Sequence, residues 1–307
     1  MSEFLQLMSQ YPWLFITLSF IFAATIGSFL NVVIHRMPVM MKREWQQECN
    51  AYLEEYHAST LDKSLLKKLA APIDNYPERY NLLVPGSACP KCGGKIKPWQ
   101  NIPMLGWIML KGQCAKCKAA ISARYPVVEA FTGLLVAILA WHFGPNIQFA
   151  LATLLTFILI ALTFIDLDEM LLPDQLTLPL VWLGLLVNLS GTFTDLQSAI
   201  IGAVTGYLSL WSVFWLFKLL TGKEGMGYGD FKLMAVAGAW LGWQYLPLVI
   251  LLSSILGAVV GIVLLIKKQQ SGSLQIPFGP YIAAALYVAL LSGDNIIAAY
   301  WGYVYGR

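Results

Sequence analysis

The stretch LATLLTFILIALTFID (residues 151–166) decides the fold, because it ends a long apolar run with a carboxylate. A second acid, Asp230, closes Gly227-Tyr228-Gly229-Asp230 directly before another apolar stretch. A carboxylate in or near hydrocarbon is costly unless it is paired, hydrated or neutralised, so an intramembrane acid indicates a functional site. Two of them, on separate predicted helix ends, predict a pair that acts together.

The composition of the whole chain agrees with a membrane setting. The protein has 307 residues, of which 58% are hydrophobic and 12% are charged, and its mean hydropathy is +0.64. Soluble globular domains carry about 25% charged residues. The sequence therefore predicts a polytopic membrane protein whose first partner is the lipid bilayer. The net charge of +3 is too small to indicate a nucleic-acid partner.

Eight apolar segments are candidates for transmembrane helices, which need roughly 17–25 residues each. They lie at 13–34, 126–142, 147–165, 175–193, 197–217, 231–243, 245–266 and 279–300. The sixth is short and is interrupted by Gly238 and Gly242. We predict an all-α polytopic membrane protein with about eight transmembrane helices and one polar insert after the first helix. The predicted domains are a first transmembrane helix (1–34), a cytoplasmic zinc-binding domain (35–124) and a multi-helix transmembrane domain (125–307).

The distribution of basic residues predicts the orientation of the chain. Of the 20 Lys and Arg residues, 14 fall between Arg36 and Arg124. An external N-terminus places every Lys/Arg cluster on the cytoplasmic side, as the positive-inside rule requires, and leaves only Arg307 outside. This arrangement needs an even number of spans, and it puts both termini on the outer side. The first apolar run lacks the basic segment of a secretory signal, so we expect it to be retained.

The polar insert contains two pairs of cysteines with the spacing of a zinc site. Its first part, Met41–Lys68, has apolar residues at helical spacing and is predicted to be helical. Cys89 and Cys92 precede Cys114 and Cys117 by a gap of 21 residues, close to the range of four-thiolate zinc sites. Such a site is structural, because four thiolates leave no open position. The alternative is two disulfides or free thiols, and a reducing cytoplasm argues against the disulfides.

The chemistry that two neighbouring carboxyl groups favour is the activation of water for peptide hydrolysis. Two acids a few ångströms apart cannot both ionise cheaply, so one keeps its proton. The ionised group takes a proton from water while the neutral group donates a hydrogen bond to the scissile carbonyl. The alternative is that the acids only cap helices or face headgroups. That alternative is favoured for Asp168, Glu169 and Asp174 and is weaker for Asp230, which lies in a glycine-rich turn.

Several linked motifs in this order resemble the type IV prepilin peptidases, which are bifunctional leader peptidase/N-methyltransferases of bacteria. Besides the two aspartates and the paired cysteines, the motifs that carry the resemblance are Gly27–Ile34 leading to Arg36 and Pro38, Trp99–Pro103, Leu110–Gly112, Ile121–Glu129 and Leu172–Asp174. The one small departure is Gly106, where many members carry a serine. The resemblance covers nearly the whole chain.

The resemblance implies an inner-membrane aspartyl protease of the GxGD type, with Asp166 and Asp230 as its catalytic residues. Its expected substrates are prepilins or pseudopilins, which are cut on the cytoplasmic side after a glycine that ends a short basic leader. Gly227 and Gly229, with the acids Asp168, Glu169 and Asp174, are candidates for the loops that receive this leader.

The resemblance also implies methylation of the new N-terminus with S-adenosylmethionine as cofactor. No strand–GxGxxG–helix signature is present, so the residues that bind this cofactor are unassigned. Glu129 is a weak candidate, and an interfacial acid satisfied by Arg124 or the backbone is an equal alternative. Gly27, Asn31 and Arg36 are candidates for lining the path of the substrate helix, or for helix packing.

Two other functions remain open from the residues alone. A proton-coupled transporter can use two acids as a relay, and it predicts internal repeats and broken helices at the bilayer midplane. A non-enzymatic, zinc-bearing assembly factor makes the acids incidental. We find no repeat between the halves of the sequence.

Overall fold

The computed structural model describes residues 2–57, 74, 76–268 and 276–306 of the chain. The described part is helical, and its only β-pairings are two isolated bridges within 88–120. The α-helices are α1 Ser2–Gln10, α2 Pro12–His57, α3 Leu105–Met109, α4 Arg124–Phe143, α5 Ile147–Glu169, α6 Asp174–Val187, α7 Leu196–Thr221, α8 Tyr228–Leu241, α9 Leu246–Lys268 and α10 Gly279–Tyr305. The prediction of an all-α membrane protein with an insert after its first span is confirmed.

Six of the described helices are long and apolar enough to cross a membrane, namely α2, α4, α5, α7, α9 and α10. The segments predicted at 175–193 and 231–243 form α6 and α8, which have 14 residues each. At 1.5 Å per residue such a helix is about 21 Å long, whereas the hydrocarbon core is about 30 Å thick. The predicted count of eight spans is therefore not confirmed.

The first predicted span does not end where its apolar run ends. Helix α2 continues without a break to His57, so that one helix of 46 residues contains both the apolar run and the first part of the polar insert. The helix predicted for Met41–Lys68 is thus present as far as residue 57, and its remainder, 58–68, lies outside the described residues.

The chain forms two compact units, Met1–Ala23 with Thr132–Arg307, and Ala24–Phe131. In the first unit the short helix α8 is the centre of the core, since Leu233–Leu241 are all buried. Its backbone lies directly against α7. A Cβ on Gly202 would come within 2.5 Å of the carbonyl oxygen of Gly238, and one on Gly206 within 2.6 Å of that of Met234. Small residues permit this approach of two helix backbones.

The far end of α8 is held by a buried amide. Asn188 Nδ2 donates to the carbonyl oxygens of Ala239 and Trp240, at 2.9 and 3.0 Å. Its Oδ1 accepts from the backbone N–H groups of Phe193 and Thr194, at 3.0 and 3.1 Å. All four hydrogen bonds that this side chain can make are thereby present. The helix that begins beside Asp230 is therefore fixed at its opposite end.

In the second unit a strap at 76–85 is fastened to α2. The guanidinium group of Arg36 donates to the carbonyl oxygens of Asn81 and Pro85, at 2.7 and 2.6 Å. Two helical turns further along α2, Arg43 forms an ion pair with Asp74. Because of this hydrogen-bonded pair, the pKa of the Asp74 carboxyl lies below its ordinary value.

Candidate active site and metal centre

The two predicted catalytic aspartates lie at the ends of two helices of the same unit. Asp166 is in the last turn of α5, and Asp230 is in the first turn of α8. Both side chains are buried, with 5% and 6% of their surface exposed. The backbone N–H of Gly279 donates to Asp166, and Gly279 and Gly229, the neighbour of Asp230, both pack against Leu172, so the two acids lie near one side chain. The structure thus brings together two acids that are 64 residues apart in the sequence.

A residue that sequence analysis missed holds Asp166. The backbone N–H of Gly279, the first residue of α10, donates to Asp166 Oδ2 at 3.0 Å. A Cβ at position 279 would lie 2.7 Å from the same oxygen, so only glycine fits here without a shift. The N-terminal end of a helix presents unpaired N–H groups and favours a carboxylate. No signal in the sequence relates position 279 to position 166.

Leu172 packs against both the glycine beside Asp230 and the glycine that holds Asp166. A Cβ on Gly229, beside Asp230, would come within 2.7 Å of Leu172 Cβ, and one on Gly279 within 3.1 Å of Leu172 Cδ2. The close approach explains the glycine at position 229. Gly227 differs, because its backbone is extended and a Cβ there would be 3.8 Å from Asp230 Oδ2, which is an ordinary contact.

The other acids near the site fall into two groups. Asp174 accepts two hydrogen bonds from Lys232 Nζ, at 2.6 and 2.7 Å, and Glu224 forms an ion pair with Lys218 at 2.7 Å. Asp168 and Glu169 are exposed on the last turn of α5. The acidic surface predicted around the site is therefore partly neutralised by lysines of the chain itself.

The four paired cysteines form one cluster in the second unit. The sulfur atoms of Cys89, Cys92, Cys114 and Cys117 all lie within 4.8 Å of one another, so they can hold a metal ion. Each pair sits on the same kind of turn. The N–H of Cys89 donates to the carbonyl of Gly94, and the N–H of Cys114 to that of Ala119, at 2.9 and 2.8 Å. The turns are closed by residues with positive φ, Gly93 (64°) and Lys118 (58°).

The surroundings of the sulfurs favour the thiolate form at Cys89 and Cys114 but not at Cys117. Backbone N–H groups of Cys117 and Lys116 lower the pKa of the Cys114 thiol to about 6. Those of Cys92 and Lys91 likewise lower the pKa of Cys89. At Cys117 the Ala119 amide lowers the pKa, but the neighbouring sulfurs outweigh it and raise the pKa to about 11. Four sulfurs this close cannot all ionise alone, and a bound metal ion removes that conflict.

Three further residues from the sequence motifs have partners within the second unit. Glu129 is buried, and its Oε2 accepts from the backbone N–H of Met104 at 2.7 Å. Asn31 Nδ2 donates to the carbonyl oxygen of Tyr125 at 3.2 Å. Arg36 holds the strap at 76–85. Each side chain therefore ties a loop or helix end in place.

The described residues of the second unit contain no β-strand, so the sheet and glycine-rich turn that bind nucleotides in a Rossmann fold are not available there for S-adenosylmethionine. No contact among these residues assigns an adenosine or methionine subsite.

The fold and these sites define an integral membrane protein that crosses the bilayer several times and has two buried acids and a four-cysteine cluster able to hold a metal ion. Residues 21–143 match the bacterial peptidase A24 N-terminal domain, and residues 153–262 match the type IV leader peptidase family. The chain belongs to the type IV leader peptidase family.

Relatives agree over almost the whole length. The chain is similar to prepilin leader peptidase/N-methyltransferases of Aeromonas salmonicida (54% identical, covering 98% of both chains), Pseudomonas aeruginosa (49%, covering 96% and 97%) and Legionella pneumophila (42%, covering 97% and 98%). No solved structure matches the chain. The predicted enzyme class, a prepilin peptidase and N-methyltransferase, is confirmed.

Proposed function

We propose that this enzyme removes the basic leader from type IV prepilins or type II secretion pseudopilins, cutting after a glycine at the cytoplasmic face of the inner membrane. It then methylates the new N-terminal amine, with S-adenosylmethionine as the methyl donor. The observation that carries the peptidase proposal is that Asp166 and Asp230 are both buried, and that the glycines beside them, Gly279 and Gly229, both pack against Leu172. Two acids buried close together are rarely found without a function. Relatives are named for the peptidase activity, which indicates what that function is.

In the proposed reaction the two aspartates share one proton. The ionised carboxylate takes a proton from a water molecule, and the oxygen of that water attacks the carbonyl carbon of the scissile bond. The protonated carboxyl donates a hydrogen bond to the carbonyl oxygen, where negative charge develops. The proton taken from water then passes to the leaving nitrogen. The pair titrates as a unit, so neither acid is assigned one role.

Two glycines help to hold the aspartates in the positions that this reaction needs. The Gly279 amide fixes the orientation of the Asp166 carboxyl, because it donates to Oδ2. Gly229 allows the turn before Asp230 to approach Leu172. A carboxyl group held by packing and by a backbone donor keeps the geometry that a reacting water needs.

The leader of the substrate is expected to meet the exposed acids first. Asp168 and Glu169 are exposed and lie within one turn of Asp166 on α5, whereas Asp174 begins the next helix. We therefore rank Asp168 and Glu169 above Asp174 as contacts for a basic leader. Neutralising both should raise KM for the prepilin while kcat changes little, because the contact is equal in the ground and transition states.

The orientation of the chain follows from the same proposal. With the N- and C-termini periplasmic, the insert and both aspartates lie on the cytoplasmic side, where the leader is. The domain division remains as predicted, with 35–124 serving the methyltransferase function and 125–307 the peptidase. We propose zinc as the ion in the four-thiolate site, with a structural role, since four thiolates leave no position for a substrate. Glu129 remains only a weak candidate for the cofactor site, because its Oε2 already holds Met104.

Cleavage of a purified prepilin by the purified enzyme tests the peptidase proposal. Asp166→Asn and Asp230→Asn should each abolish leader loss, whereas Asp168→Asn, two residues away on the same helix, should retain most of kcat. Cleavage by both active-site variants at the wild-type rate rules out the aspartate mechanism. The mass of the product's N-terminus, with and without S-adenosylmethionine, tests methylation separately. If the protein were a transporter or an assembly factor, the prepilin would neither lose its leader nor gain a methyl group.

A further inference from the structure

The second unit contains a long segment without any acidic residue. Between Arg79 and Val128 the sequence has eight Lys and Arg residues and no Asp or Glu. Six of these are lysines, and all six are exposed: Lys91, Lys95, Lys97, Lys111, Lys116 and Lys118. A four-thiolate site that holds a divalent ion carries two negative charges, which leaves the segment strongly positive. Blocks of one charge sign indicate an interaction surface.

The same segment exposes an apolar ridge. Leu105, Ile108 and Met109 are 56%, 60% and 64% exposed on helix α3. Their spacing of three and four residues puts them on one helix face. Ile102 and Trp99, which precede the helix, are 44% and 46% exposed. We call these five residues the apolar ridge.

The ridge is held outward by the opposite side of the helix. Trp107 Nε1 donates to the carbonyl oxygen of Ile121 at 3.1 Å, and its ring lies against Gly112. Gly106 is buried against the backbone of Gln100, where a Cβ would collide with the carbonyl. The glycine at position 106, where many family members carry a serine, therefore permits the turn at 98–101 to pack directly against α3. The aliphatic side chains cannot turn inward, because that face is already packed.

We propose that the apolar ridge and the lysines around it dock on anionic lipid headgroups, with the ridge at the boundary between headgroups and acyl chains. An aliphatic and aromatic face among lysines is the pattern of interfacial membrane binding, and Trp is favoured at that depth. Exposed apolar residues grouped in this way indicate a surface that contacts another molecule and not one that faces only water. The segment is also tethered at both ends to helices that can cross a membrane, α2 and α4, which raises its effective concentration at the lipid surface.

The lysines supply the dependence on lipid charge. Each Lys near an anionic surface strengthens attachment by about fivefold at physiological salt, and the effect falls off within a Debye length. Reversing the charge of two lysines should therefore weaken attachment to anionic lipid by more than an order of magnitude. The same change should have little effect on neutral lipid. This difference separates lipid docking from burial of the ridge by a protein.

The test is hydrogen exchange of the full chain in nanodiscs of phosphatidylcholine, alone or mixed with phosphatidylglycerol. We expect the amides of 102–110 to exchange at least about fivefold more slowly in the anionic discs, and we expect high salt to remove the difference. Lys95→Glu with Lys97→Glu should remove it too, as should Leu105→Ser with Met109→Ser. Lys223→Glu, an exposed lysine outside the segment, should not.

Retained metal content in each variant shows that the cysteine site is intact, so that lost protection reports docking and not unfolding. Equal exchange in neutral and anionic discs overturns the proposal. So does a photo-crosslinker at position 109 that forms adducts with protein and none with lipid, because the ridge would then be covered by a protein partner or a second copy of the chain.

Discussion

Replacing Gly279 by alanine tests whether the helix α10 terminus sets the position of a catalytic carboxyl. The added Cβ would lie 2.7 Å from Asp166 Oδ2, and ordinary contact begins at 3.4 Å, so the carboxyl must retreat by about 0.7 Å. Leu172 methyl groups at 3.1 and 3.2 Å limit how far the new methyl group itself can move. The hydrogen bond from the Gly279 amide to Oδ2 is therefore strained or lost.

Two estimates of the cost agree. A displacement near 1 Å at a reacting group lowers the rate by about 10²-fold. Loss of a hydrogen bond to a charged group costs about 1.5–3 kcal/mol, which corresponds to about 10–150-fold in rate. We expect Gly279→Ala to lower kcat for prepilin cleavage by about one to two orders of magnitude. KM should be nearly unchanged, because the lost hydrogen bond orients the Asp166 carboxyl and is not a contact with the substrate.

The assay is leader loss at several substrate concentrations, with thermal unfolding measured on the same preparations. Gly261→Ala is the matched control, since a Cβ there meets only the end of the Ile276 side chain at 3.3 Å. A Gly279→Ala enzyme with wild-type kcat would refute the assigned role of the α10 terminus. A low kcat accompanied by early unfolding would show a defect of folding and not of the site.

Three further outcomes are expected. Wild-type protein should contain one zinc ion per chain by metal analysis, and Cys89→Ser with Cys114→Ser should lose it, whereas Cys49→Ser should keep it. Gly238→Ala should lower the melting temperature by several degrees, because a methyl group there collides with the facing helix backbone and overpacking costs about 1–3 kcal/mol; an unchanged melting temperature would contradict the backbone contact. The pKa of Asp74 is lowered in the folded protein, so its contribution to stability is complete above the ordinary pKa of about 3.9 and is lost as the pH falls below that value. Asp74→Asn should reproduce this loss at neutral pH, measured as faster amide exchange across 76–85; unchanged exchange in that range would show that the strap does not depend on the ion pair.

The sequence predicted the features that depend on local pattern. Hydropathy predicted the six helices that are long enough to cross a membrane, and the cluster of Lys and Arg residues between Arg36 and Arg124 indicated the polar insert. The spacing of the cysteines predicted a cluster that the structure brings together. These features could be predicted because each depends on a short sequence pattern and is dominated by one free energy, either transfer to lipid or metal coordination.

The features that sequence analysis missed all depend on contacts between distant segments. Gly279 reaches Asp166 across 113 positions, and Lys232 reaches Asp174 across 58. Hydropathy predicted that α8 is apolar but could not show whether its apolar residues face lipid or other helices. In the structure they form the core of the bundle.

This burial of α8 has a consequence for how the enzyme responds to its membrane. A helix that faces lipid tilts or shifts when the bilayer becomes thinner or thicker, since its apolar length must stay covered. Helix α8 is buried from Leu233 to Leu241 and is fixed at its far end by Asn188, so changes in acyl-chain length act first on its neighbours. Bilayer thickness is therefore expected to affect the position of Asp230 only indirectly, through the helices around α8.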